Sequence, residues 1–249
     1  MGVHTAVNIT EEQKKSFNDE GFMILERVIP DEMLAMLRDE CKDFIDKEHA
    51  AMDKAGTDKI GGNIRGKRYF IAQRYKQGKR LHEFIFSEEM AEICRATLGP
   101  DAFLMYEQWV VKGAEQGMKF SWHQDSGYAA YPHKRYLTCW CALDDMTVEN
   151  GTAYILPFSR AGTRDVQPHV REGLDLVGYH GADPGDPVLV PAGSIAVFTS
   201  HTFHRSGFNT SSRMRRVYVV QYTSEPMGPP EGKSHELAEP FLKGGRIVR

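Results

Sequence analysis

Ser121-Trp122-His123-Gln124-Asp125-Ser126 is the stretch from which the rest of the chain can be read. A histidine and a carboxylate two residues apart suit a metal ion. On an extended segment, residues i and i+2 point to the same side, so His123 and Asp125 can reach one ion without distortion. Met118, Phe120 and Trp122 ahead of the pair fit a strand. Imidazole nitrogen and carboxylate oxygen suit iron(II), and a second histidine would complete a facial triad that leaves the remaining positions open. Alone, His-x-Asp also describes a surface turn, so the missing ligand decides the reading. Toward the C-terminus the chain offers His201 and His204. His133, His169 and His180 have no partner at ligand spacing and read as exposed or loop histidines.

The surroundings of His204 separate these options. The chain there reads His204-Arg205-Ser206-Gly207-Phe208-Asn209, followed by Arg213, Arg215 and Arg216. Together with His123-Gln124-Asp125, Asn150-Gly151, Pro157-Phe158-Ser159-Arg160 and Pro191-Ala192-Gly193-Ser194, it resembles the phytanoyl-CoA dioxygenase family of Fe(II)/2-oxoglutarate oxygenases, over about residues 12–224. That family carries His-x-Asp, then Asn-Gly, then His-x-Ser-Gly-x-Asn, and an arginine eleven residues beyond the distal histidine. Arg215 stands at that offset from His204. Two turns depart from the pattern. The family's Pro-Gly-Ser-His is Pro-Phe-Ser-Arg here, and its Gly-Asp is Gly193-Ser194. Neither carries a metal ligand, so the departures bear on loop shape and substrate.

The resemblance implies a metal centre of His123, Asp125 and His204, with His201 as the decoy. It implies 2-oxoglutarate and O2 as cosubstrates, and succinate and CO2 as products beside an oxidised small molecule. A distal carboxylate calls for an arginine fork, which gives two charge-assisted bonds of fixed direction. The family offset selects Arg215 over Arg213 and Arg216. Ser206, Gln108 and Trp140 fall where relatives line the cosubstrate pocket. The leading expectation is a hydroxylase, with a desaturase or epimerase close behind. A halogenase would replace the carboxylate ligand with Gly or Ala, and Asp125 argues against it. A jelly-roll binding module without iron is the remaining alternative.

Composition agrees with this class. The 249 residues are enough for one sizeable core, and the formal charge of −3 gives no case for nucleic-acid binding. No apolar run approaches the ~18 residues that would span a membrane. Residues 1–6 lack a signal-peptide core. Cys41, Cys94, Cys139 and Cys141 lack Cys-x-x-Cys spacing and read as buried thiols. A reducing cytoplasm suits both the thiols and a ferrous site.

The order of elements predicts an α+β, mainly β protein: a double-stranded β-helix (jelly roll, cupin-like) with N-terminal helices packed on one side. We expect a single domain over 1–249, with a helical part at about 10–100, the jelly roll at about 101–224 and a tail at 225–249. Thr10-Glu11-Glu12-Gln13 is a capping box, and its helix should stop at Gly21. Pro30-Asp31 opens a long helix whose apolar face carries Leu34, Leu37, Cys41, Phe44 and Ile45. Ser87 caps another helix. Strands are expected at 102–112, 117–123, 135–143, 152–157, 187–191, 194–199 and 216–223.

Residues 57–80 stand apart. Lys59, Arg65, Lys67, Arg68, Arg74, Lys76, Lys79 and Arg80 face one acid, Asp58, among Gly61, Gly62 and Gly66. One reading is a solvated loop and short strand. The sharper reading is a flap whose cations, Arg65, Arg68 and Arg74 among them, meet an anionic substrate, with Tyr69 and Phe70 closing over the site.

Overall fold

The computed structural model describes residues 7–115, 118–129, 131–173, 175–228 and 238–248. The chain begins with α1 (Glu11–Glu20), β1 (Phe22–Leu25) and α2 (Asp31–Ala55). The short strands β2 (Lys59–Ile60) and β3 (Asn63–Ile64) lead to β4 (Arg68–Ala72), α3 (Leu81–Ile85) and α4 (Glu88–Thr97). The β-rich part holds β5 (Ala102–Lys112), β6 (Phe120–His123), β7 (Leu137–Ala142), β8 (Ala153–Leu156) and the one-turn α5 (Phe158–Ala161). It continues through β9 (Val170–Glu172), β10 (Asp175–Val177), β11 (Asp186–Pro187), β12 (Ile195–Thr199), β13 (Phe203–Ser206) and β14 (Arg215–Thr223). A terminal hairpin, β15 (Glu239–Lys243) and β16 (Arg246–Ile247), closes the chain.

The helix ends follow from their caps. Thr10 accepts from the Gln13 backbone N–H, Gln13 reaches back to Thr10, and Gly21 ends α1 in the left-handed region at φ 84°. Gly56 ends α2 in the same way, and Ser87 caps α4 through the Met90 backbone N–H.

Two antiparallel sheets form the jelly roll. The large sheet runs β1-β12-β7-β14-β5-β4-β3-β2, and the small one runs β11-β8-β13-β6. The period-two alternation of the large sheet divides its side chains between two layers. Cys139, Cys141, Val197, Tyr218, Val220 and Trp109 face the helices, where they join Leu37, Cys41, Phe44 and Ile93 in the main core. Trp140, Ala142, Ala196, Phe198, Val217 and Val219 face the small sheet. Trp109 anchors the helical side, with its ring 5.3 Å from Phe44 and 4.7 Å from Tyr218. Truncating such a side chain costs about 3–5 kcal/mol.

Several expectations need correction. Within residues 57–80 the short strands β2, β3 and β4 extend the large sheet, β4 pairing with β5 from Arg68↔Lys112 to Ala72↔Gln108, while residues 73–80 lie outside it. The expected strand at 187–191 is the two-residue β11 at Asp186–Pro187. The expected tail returns as β15, which pairs with β5 and buries Phe241 and Leu242. The strand β13 had no counterpart in the sequence reading, although it carries His204. It is short, and its Phe-His-Arg-Ser pattern gives little alternation to detect. Among the described residues, no helix is long and apolar enough to cross a membrane. All four cysteines are free and buried, as expected.

Candidate metal centre

His123 ends β6 and His204 lies opposite it on β13, the two Cα positions being partners in the ladder. Their rings stand 4.2 Å apart between centroids. Asp125 differs from the simple expectation of one straight strand. The ladder ends at His123, and Asp125 opens a 3-10 turn, Asp125–Tyr128. Gln124 between them keeps an extended backbone (φ −109°, ψ 140°), so His123 and Asp125 still project to one side. One ligand atom from each of His123, Asp125 and His204 lies within 4.8 Å of the other two. Asp125 Oδ1 is 3.5 Å from His204 Nε2 and 4.0 Å from His123 Nε2.

The other polar atoms of the triad are occupied. Nδ1 of His123 bonds the Ser121 carbonyl at 2.8 Å, and Nδ1 of His204 bonds the Thr202 carbonyl at 3.1 Å. Nδ1 therefore carries the proton in each ring, and Nε2 presents its lone pair to the shared space. Asp125 Oδ2 accepts from Thr138 Oγ1 at 2.6 Å and from Gln221 Nε2 at 3.0 Å, which leaves Oδ1 toward the histidines. Burial, with His204 adding to it, pushes the His123 pKa down to about 4, so this imidazole stays neutral. The donor set thus fits a divalent iron: two imidazoles and a carboxylate, each held by a second contact.

Gln124 fixes the turn from behind. Its Oε1 accepts from the Gln167 backbone N–H at 2.7 Å. Its Nε2 donates to the carbonyls of Asp165 (3.0 Å) and His201 (2.6 Å), and its backbone N–H donates to His169 Nε2 at 2.9 Å. His169 is thus a half-buried loop histidine that buttresses the turn. His201 turns its Nδ1 to the Arg164 carbonyl at 3.0 Å and is not among the converging groups.

A cavity of about 460 Å³ opens from the triad. Gln108, Trp140, Ser206 and Arg215 all line it with His123, Asp125 and His204. Arg215 is 1% exposed, and its Nε has no hydrogen-bond partner. Among the described residues its guanidinium reaches two carbonyls, Val110 at 3.4 Å and Gly151 at 3.2 Å, and lies 5.8 Å from the Trp140 ring centre. Burial lowers its pKa to about 10. A buried guanidinium with an orphaned donor fits a missing carboxylate. Arg213 is exposed, and Arg216 pairs with Asp144 at 2.6 Å.

The basic segment contributes little to this cavity. Among its singled-out residues only Phe70 lines it. Arg68 stands beside Phe70, its guanidinium 5.0 Å from the ring centre and its Nε donating to the Gly62 carbonyl at 3.0 Å. Tyr69 faces the helices, buried, with its hydroxyl 2.7 Å from His49 Nε2. Arg65 pairs with Asp53 (2.5 Å) and Asp58 (2.8 Å), and Arg74 with Glu48 (3.6 Å). The alternation of β4 explains the split, because Tyr69 and Ile71 must face the core.

Among the residues at or behind the site that escaped the sequence reading are Thr138, Gln221, Lys112 and Gln124. Strand parity could have found three of them. Gln221 shares a face with Arg215, Thr138 with Trp140, and Lys112 with Gln108.

A jelly roll with two imidazoles and a carboxylate at the mouth of its small sheet defines the class of non-haem iron, 2-oxoglutarate-dependent oxygenases. Residues 17–217 match the family described as Phytanoyl-CoA dioxygenase (PhyH), and the chain belongs to that family. It is similar to the peroxisomal phytanoyl-CoA dioxygenase of Mus musculus, 23% identical with 87% of this chain and 69% of that protein covered. It is also similar to ectoine dioxygenase of Bordetella parapertussis, 23% identical with 90% and 79% covered. Among solved structures it shares the fold of the non-heme alpha ketoglutarate dependent carbocyclase SnoK from nogalamycin biosynthesis. That likeness has a TM-score of 0.74 and 22% identity, over 98% of this chain and 97% of that one. The protein is a 2-oxoglutarate-dependent dioxygenase with iron and 2-oxoglutarate as its cofactor and cosubstrate.

Proposed function

We propose that His123, Asp125 and His204 hold the iron, that Arg215 anchors the distal carboxylate of 2-oxoglutarate, and that the enzyme hydroxylates an uncharged, ring-bearing small molecule. The observation that carries the metal assignment is the convergence of Nε2, Oδ1 and Nε2 while every other polar atom of the three side chains is tied elsewhere. When bound, iron and 2-oxoglutarate supply the oxidation: O2 is consumed, 2-oxoglutarate becomes succinate and CO2, and a substrate C–H becomes C–OH. The chain does the rest. Thr138 and Gln221 hold Asp125, the guanidinium of Arg215, whose Nε is unpartnered, binds the carboxylate, and apolar walls exclude water.

The substrate reading rests on what faces the cavity. Phe70, Tyr106, Phe120, Tyr128 and Tyr136 offer ring faces and edges, with Met105 and Met227 beside them. Such walls stack on flat or alicyclic rings. Apart from the triad and Arg215, the charged residue at the wall among the described residues is Arg205. Its guanidinium already lies 3.9 Å from the Tyr154 ring centre and donates to the Pro184 carbonyl at 2.9 Å. Of the cations expected to meet an anionic substrate, Arg65 and Arg74 are paired outside the cavity, and Arg68 lies against Phe70 at its edge. Relatives in the family act on substrates as different as their names, phytanoyl-CoA and ectoine, so the walls rather than the family guide this reading. Asp125 occupies the position a halogenase would free for halide. The buried thiols fit a reducing cytoplasm.

The test is succinate release from iron-loaded protein against matched panels of neutral cyclic compounds and anionic acyl compounds. Stimulation by members of the neutral panel is expected. Stimulation confined to the anionic panel would refute the substrate reading and leave the metal assignment standing.

A further inference from the structure

Lys112 is fully buried on β5, directly across the ladder from Arg215 on β14. A buried lysine is costly and needs a reason. Its Nζ donates to Ser206 Oγ at 2.8 Å, to the Gly151 carbonyl at 3.2 Å and to the Gly207 carbonyl at close range. We propose that Lys112 is a positioning residue for the cosubstrate: it holds the Ser206 hydroxyl so that it donates a hydrogen bond to the distal carboxylate of the 2-oxo acid bound at Arg215. The proposal rests on the assignment of Arg215 made above.

The hydrogen-bond inventory carries the argument. An ammonium has three protons and no lone pair, and Lys112 has three acceptors around it. In that charged form none of its protons is left for a ligand, so Lys112 acts through Ser206. A hydroxyl that accepts from an ammonium keeps its own proton to give. Ser206 Oγ lines the cavity beside Arg215, and among the described residues its proton has no acceptor. A carboxylate oxygen supplies one. A neutral amine would carry only two protons. It would then leave one acceptor unmet or take the Ser206 proton for its own lone pair.

The charge balance points the same way. The two residues in register with Lys112 on the neighbouring strands are Arg215 on β14 and Arg68 on β4, both cations, while Arg216 on β14 is paired with Asp144. Burial first, and Arg215 second, push the Lys112 pKa down to about 5. Among the described residues no carboxylate is paired with Lys112 or Arg215. An anion entering beside Arg215 offsets the repulsion and holds Lys112 in its three-donor form.

The test uses Lys112→Met, Ser206→Ala and the double variant, each full length and loaded with iron in the absence of oxygen. Calorimetry reads two probes: 2-oxoglutarate, and oxalate, which chelates a metal but has no carboxylate at the far end. Lys112→Met is expected to weaken 2-oxoglutarate binding about 10- to 100-fold, the range of a lost hydrogen bond to a charged group. Oxalate and iron binding should stay as in the parent, which a general loss of structure would not allow. Ser206→Ala should act in the same direction, and the double variant should be no weaker than the weaker single one, because both remove one relay. Unchanged 2-oxoglutarate binding in folded Lys112→Met, or additive losses in the double variant, overturns the relay. Should Lys112→Met not fold, Ser206→Ala decides: unchanged 2-oxoglutarate binding there overturns it. Arg215→Met separates the two levels. If it keeps normal 2-oxoglutarate affinity, the anchoring assignment itself fails; if it loses affinity while Lys112→Met and Ser206→Ala keep it, only the relay fails.

Discussion

Arg215→Met should cost the protein its cosubstrate and almost none of its stability. The guanidinium is 1% exposed, and burial has moved its pKa from 12.5 to about 10. At about 1.4 kcal/mol per tenfold, that displacement penalises the folded charged form by roughly 3 kcal/mol. The sign is clear: a cation with a lowered pKa destabilises the folded state at every pH below that value, so the penalty is present in full at pH 7. Set against it are two long bonds to carbonyls, worth together about 1–3 kcal/mol, and a contact with Trp140 worth about 1–2 kcal/mol. The terms nearly cancel. Methionine fills similar space without the penalty, so the ligand-free variant should lie within about 2 kcal/mol of the parent, and Tm should move by less than about 8 °C. Binding is another matter. A carboxylate that loses its charged donors loses about 3 kcal/mol, or roughly 150-fold in affinity. Two measurements suffice, thermal unfolding without ligand and 2-oxoglutarate calorimetry on the iron-loaded protein. The parent gains about 2.7 kcal/mol of stability at a ligand concentration of 100 Kd, and the variant should gain almost none at that concentration. A large fall in the ligand-free Tm with an unchanged Kd would refute the reasoning and make Arg215 a structural group.

Other outcomes follow from the same geometry. Replacing His123, Asp125 or His204 by Ala should abolish stoichiometric iron binding in an anaerobic titration, while His201→Ala keeps it; the reverse pattern for the two distal histidines would move the triad. Gln221→Leu and Thr138→Val free one oxygen of Asp125 and should each lower iron affinity by about tenfold or more, as loss of a ligand's supporting contact does elsewhere. Iron titrations indistinguishable from the parent would show that Asp125 needs neither. Cosubstrate binding should take up a proton near neutral pH, since Lys112 has a pKa of about 5 before the carboxylate arrives and a higher one after. The 2-oxoglutarate affinity should therefore fall as pH rises above that value, and binding enthalpies measured in two buffers of different ionisation heat should differ in proportion; identical enthalpies would exclude the uptake. For a neutral substrate, Phe70→Ala should raise KM and Arg65→Gln and Arg74→Gln should not, because only the first lines the cavity.

Much of the chemistry was legible in the order of residues. Metal ligation depends on a few side chains of one chemical type, and His-x-Asp and His-x-Ser-Gly-x-Asn state those types locally. Helix ends were legible for the same reason: the cap of α1 at Thr10 and its stop at Gly21 involve residues at most four positions apart. The strands expected at 102–112 and 135–143 were likewise legible and are β5 and β7, although what each face would meet was not.

What the tertiary structure decided are the contacts between distant segments. The pairing of β6 with β13, residues some 80 positions apart, sets His204 against His123, and nothing in the four residues of β13 signals a strand. The oxygen of Asp125 turned toward the histidines is selected by Thr138 and Gln221, from two other strands. The basic segment shows the limit most clearly. Its charge is a property of composition, but β4 pairs with β5, and that pairing sends Tyr69 into the core and leaves Phe70 at the cavity. Local sequence fixes what a side chain can do; sheet register, set by the whole core at once, fixes which face it does it on, because a shift of one residue turns every side chain to the other side.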